Sequence, residues 1–75
     1  MDEGYILSNK YRKIIFEAIA TGETNIIFIA KKHRIIRTVA NKIINDFEEN
    51  KLIENKNNRI TLTDKGQKLA ETLVD

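Results

Sequence analysis

The sequence predicts an α+β chain that is mainly helical, in the order helix, helix, helix, strand, strand, helix. Two observations predict it. Four stretches, three before residue 51 and one after residue 63, carry apolar side chains three and four residues apart, the spacing of a helix with one buried face. Between the last two of them, Leu52–Lys56 and Arg59–Leu62 are separated by Asn57-Asn58. Both central positions of a tight type I′ hairpin turn need φ > 0, which Asn tolerates better than most residues.

Residues 1–7 read as an N-terminal arm. Ser8 is placed to cap a helix over 8–21, in which Tyr11, Ile14, Ile15, Ala18 and Ile19 form one stripe and after which Gly22 is a C-terminal stop. Glu23-Thr24 has room for a short third strand near Thr24. Asn25 then caps a helix over 25–33 whose inward residues are Ile26, Ile29, Ala30 and His33, the last expected as a buried or half-buried imidazole. Arg34 and Ile35 fill the turn. The next helix, over 36–50, turns Ile36, Ala40, Ile43, Ile44 and Phe47 inward and Arg37, Thr38, Asn41, Lys42 and Asn45 outward. Asn50-Lys51 closes it, with Asn in the place of a left-handed glycine. In the hairpin over 52–62, alternation puts Ile60 and Leu62 inside. Thr63 caps a last helix over 64–74 with Leu69, Ala70, Leu73 and Val74 as its stripe, and Asp64 in the first turn meets the positive end of the helix dipole.

Seventy-five residues with 41% hydrophobic and 32% charged side chains fit one folded domain over 1–75 with a modest core, which leaves little room for a catalytic cavity. The chain has no cysteine and one histidine, so disulfides, thiolate metal sites and cysteine nucleophiles are excluded together, and neither a metal nor another cofactor is expected. Ser8 has no neighbouring base, Glu48-Glu49 reads as a solvated helix end, and Gly4, Gly22 and Gly66 form no phosphate-cradling loop, so no enzyme is expected. No apolar run is long enough for a membrane span and the first residues are acidic where a signal peptide is basic, which points to a cytoplasmic protein with no membrane partner. The Ile, Lys and Asn bias suggests a bacterial, archaeal or viral source.

Net charge is only +2, but it is unevenly spread. From Asn25 to Asn45 there are five cations, Lys31, Lys32, Arg34, Arg37 and Lys42, and no acid; Lys56 and Arg59 add two more in the hairpin. The rest of the chain holds six basic and eleven acidic residues. If the two basic segments share a face, that face attracts a polyanion, although charge runs also serve as plain solvated surface.

These residues resemble the winged helix-turn-helix family, especially small MarR-like and ArsR-like transcriptional regulators, from about Ser8 to Leu73. In IAKKHRIIRTVANKIINDFEENKLIE, Ile29-Ala30, Ile43-Ile44, Phe47-Glu48-Glu49 and Leu52-Ile53 follow the family's positioning helix, recognition helix, acidic stop and first wing strand. In ITLTDKGQKLAETL, Leu62, Thr63 and Gly66 match its Leu-Thr-x-x-Gly start of the helix after the wing. Three positions depart: Arg34 and Lys51 stand where the family has Gly, and Ile36 where Ser or Thr caps the recognition helix.

The resemblance implies sequence-specific double-stranded DNA binding and transcriptional regulation, with the recognition helix in the major groove and the wing on backbone or minor groove. It would give Arg37, Asn41 and Asn45 base edges to read, and Thr38, Lys42, Lys31, Lys32 and Arg59 phosphates to hold. Arg34 and the wing residues Lys56, Asn57 and Asn58 complete the candidate surface. Half-site geometry admits a homodimer. The alternatives are an adaptor using the same scaffold for a protein partner, and RNA binding by the same basic face. Ile27, Phe28, Tyr5 and Phe16 exceed what the helix stripes need, so they are candidates for a protein interface.

Overall fold

The computed structural model describes residues 2–73, as five helices and one two-stranded sheet: α1 (Asp2–Leu7), α2 (Lys10–Ala20), α3 (Ile26–His33), α4 (Arg37–Glu49), β1 (Ile53–Lys56), β2 (Arg59–Leu62) and α5 (Asp64–Leu73). This is the architecture of a winged helix-turn-helix. Val74, expected in the last apolar stripe, lies outside the described residues.

The N-terminal arm is a correction, since residues 2–7 form a helix. Ile6 is wholly buried in the common core, and the Arg12 guanidinium both covers the Tyr5 ring, 4.2 Å from its centroid, and donates to the Tyr5 carbonyl at 3.1 Å. Because that helix ends at Leu7, Ser8 belongs to its C-terminus and donates to the Tyr5 carbonyl. Asn9 caps α2 instead, its Oδ1 accepting from the backbone of Tyr11 and Arg12 at 2.8 and 3.1 Å. Asn25 caps α3 in the same way, accepting from Ile27 and Phe28.

Three helices end on one motif. A residue with positive φ lets the two backbone N–H groups at the exit turn back to the last carbonyls, satisfying acceptors that the helix itself leaves free. Gly22 does this for α2, Arg34 for α3 with φ 56°, and Lys51 for α4 with φ 63°. The returning bonds are Glu23 to Ala18 at 3.1 Å, Ile35 to Ala30 at 2.8 Å and Leu52 to Phe47 at 2.9 Å. The left-handed residue after α4 is therefore Lys51, while Asn50 keeps φ −83°.

The strands are antiparallel, with Ile53 opposite Leu62 and Lys56 opposite Arg59, so Asn57 and Asn58 form the two-residue turn, both at positive φ. Ile60 is buried, Leu62 half-buried, and Arg59 and Thr61 face out, as alternation requires. A third strand near Thr24 is not formed among the described residues; it is reduced to one backbone bond, Ile60 to Thr24 at 2.8 Å. That bond fastens the sheet to the residues just ahead of α3.

α5 starts at Thr63, whose Oγ1 accepts from the Gly66 backbone and donates to the Lys51 carbonyl. Its first turn lies so close to the chain leaving α4 that a Cβ on Gly66 would sit 2.1 Å from the Leu52 carbonyl oxygen. The glycine of the Leu-Thr-x-x-Gly pattern is thus a close-approach residue. The core gathers at Phe47, which meets Phe16 edge-on at 5.9 Å and Tyr5 at 6.2 Å, with Ile6, Ile15, Ile29, Leu52 and Ile60 fully buried around it.

Candidate nucleic-acid interface

α4 is held by Ala40, Ile43, Ile44 and Phe47, all buried on one side. Helical geometry then sends Arg37, Thr38, Asn41, Lys42 and Asn45 to the opposite side, and all five are exposed. Arg37, Asn41 and Asn45 follow one another at four-residue spacing, one side chain per turn, with Thr38 and Lys42 beside them. The face is long, polar and free of acid until Asp46. Lys42 reaches back to that residue at 3.4 Å, but with the lysine side chain 77% exposed the pair is weak and readily exchanged for another anion.

Arg34 stands in the turn between α3 and α4, exposed, on a backbone that disfavours any side chain but glycine. Lys31 is exposed nearby on the last turn of α3. Lys32 has a different setting: it pairs with Glu23 at 3.4 Å and lines a cleft shared with Glu17, Thr21 and His33 on the α2 side. Two carboxylates, Glu17 and Glu23, line that cleft with it.

The wing presents Lys56, Asn57, Asn58 and Arg59 at its tip, all exposed. Lys56 and Arg59 are directly paired across the strands, which sets two like charges side by side. Such pairing is destabilising in a hairpin by a few tenths of a kcal/mol or more, roughly, and folding alone gives no reason for it. The base of the wing is fixed at both ends, to the exit of α4 through Leu52 and to the start of α3 through Thr24.

Of the expected interface residues, one is buried and one is half-buried. Phe16 is 1% exposed in the aromatic core, and Tyr5 is half-buried between Arg12 and Phe47, so α1 and α4 already cover what the helix stripes left over. Ile27 and Phe28 are exposed, Phe28 by 58%. His33, expected inside, is exposed, because α3 ends there and the left-handed turn puts Ile35 into the core in its place. Ile36, also expected inside, is the residue ahead of the first turn of α4 and points to solvent, with no capping bond from its side chain. A signal for this was in the sequence: an N-cap position without an oxygen side chain.

Among the described residues no group of three or more His, Cys, Asp or Glu side chains could hold a metal ion, and no helix is long and apolar enough to cross a membrane. A family model described as winged helix-turn-helix matches residues 3–75. No curated protein and no solved structure matches the chain.

Proposed function

The chain belongs to the winged helix-turn-helix family, and from that premise we propose that it binds double-stranded DNA sequence-specifically and regulates transcription, in the manner of small MarR-like and ArsR-like regulators. The observation that carries this reading is the outer face of α4, where Arg37, Thr38, Asn41, Lys42 and Asn45 are all exposed opposite an apolar seam. In the major groove, Arg37 can grip the O6 and N7 of a guanine, and Asn41 and Asn45 can pair with adenine edges. Thr38, Lys42, Lys31 and Arg34 hold phosphates on either side, and the paired cations of the wing meet backbone or minor groove. The like-charge pair Lys56/Arg59 supports a polyanion partner, since a phosphate between the two relieves their repulsion. The second reading, a protein adaptor, is favoured by the exposure of Ile27 and Phe28 on α3.

Duplex titrations of Arg37→Ala and Lys42→Ala test the assignment. Lys42→Ala should weaken all sequences alike, whereas Arg37→Ala should weaken the preferred sequence most, by about 1–3 kcal/mol. Unchanged affinity in both variants would place the interface elsewhere, and a uniform loss with Arg37→Ala would make that residue a phosphate contact.

A further inference from the structure

The leading end of α4 carries a side chain that neither helix chemistry nor packing requires. Ile36 takes the N-cap position, where an oxygen-bearing side chain would accept a backbone N–H of the first turn, and it makes no such bond. It adds nothing to the core either, being 70% exposed while its neighbour Ile35 is buried. Val39, in the next turn, is also partly open to solvent. Arg34 and Arg37 flank this apolar tip, and no acid occurs anywhere from Asn25 to Asn45.

An apolar point set among cations matches a polyanion that also displays a methyl group. Duplex DNA does so in the major groove, where the thymine C5-methyl projects between the phosphate rows and is read by apolar contact. The first residues of a recognition helix are those that reach base edges. We propose that Ile36 packs on a thymine methyl and is a specificity-determining residue of this chain; the proposal rests on the duplex-binding reading above.

The test uses the whole chain and a randomised duplex pool selected on it at low salt. The enriched sequence is remade with each thymine replaced singly by uracil, which removes the methyl and leaves the hydrogen-bonding edge intact. At one or two positions the replacement should weaken the native chain about fourfold, the effect of one methyl-sized apolar contact. Ile36→Ala should bind the thymine and uracil forms equally. Ile36→Ser should do the same while melting no lower than the native chain, because it restores a capping oxygen; a residue needed only for packing would melt lower. The inference is overturned if every uracil replacement is neutral, if both variants keep the discrimination, or if salt-sensitive binding enriches no thymine-containing sequence. A chain that binds no duplex even at low salt overturns the reading beneath it as well.

Discussion

Arg34 and Lys51 occupy the left-handed region at an intrinsic cost of about 1–2 kcal/mol each, while Gly22 closes the same motif at the end of α2 without that cost. Lys51 lies away from the outer face of α4, beside Thr63, so Lys51→Gly should raise stability by about 1 kcal/mol, or roughly 4–8 °C in melting temperature, and leave duplex affinity unchanged. Arg34→Gly should stabilise similarly but weaken duplex binding, because strain tolerated at Arg34 keeps a cation in the helix-helix turn. Thermal melts paired with titrations separate the two. Tyr5 offers a second check at this scale. Burial holds its phenol above the usual 10.0, with Arg12 and Lys42 opposing the shift and Asp46 and Glu49 adding to it, and among the described residues the buried hydroxyl has no hydrogen-bond partner. The folded chain therefore keeps a proton that the unfolded chain loses, so this stability is complete below about pH 10 and declines as pH rises through the higher folded value. Tyr5→Phe should melt no lower than the native chain at neutral pH and lose less stability between pH 8 and about pH 10.5, measured by denaturant midpoints at both.

Helices with two or more turns of regular apolar spacing were legible in the sequence: α3 and α4 begin and end, and α5 begins, within a residue or two of where caps and periodicity put them. The six residues of α1 were not, because one buried side chain, Ile6, makes no periodicity; that helix exists through packing on α2 and α5. The mistaken inward positions, His33 and Ile36, share one cause. Both sit where a helix ends or begins, and there the turn, not the 3.6-residue period, decides where a side chain goes. The hairpin was legible because its turn chemistry is local: Asn57 and Asn58 both have the positive φ that a two-residue turn demands. Gly66 was visible as a pattern but not as a reason. Its cause is the close passage of α5 over the Leu52 carbonyl, where an added Cβ would stand 2.1 Å from the oxygen, so Gly66→Ala must push α5 away from the α4–β1 connection and should cost about 2 kcal/mol or more, lowering the melting temperature by roughly 8 °C or more. A melt as stable as that of the native chain would mean that α5 does not pack this closely.

For the molecule as a whole, a net charge of +2 conceals an uneven distribution, with seven cations and no acid over residues 25–45 and 55–62. The aromatic core at Phe47 joins α1, α2 and α4, and the sheet is fastened to the residues ahead of α3, so α4 is held with its polar side outward. The composition of that side was readable residue by residue, since five of the candidate positions fall opposite the buried seam of one helix. What sequence alone could not supply is the partnering of each cation, because Glu23 is nine residues from Lys32 and meets it only through the fold. The measurement that bears most directly on the central claim is duplex affinity of the native chain as a function of salt. Release of counterions from about five or six phosphates predicts a log-log slope near −5, about −0.9 per contact. Undetectable duplex binding at low salt, or an affinity flat across the salt range, would contradict the claim and leave the exposed Ile27 and Phe28 surface as the functional face.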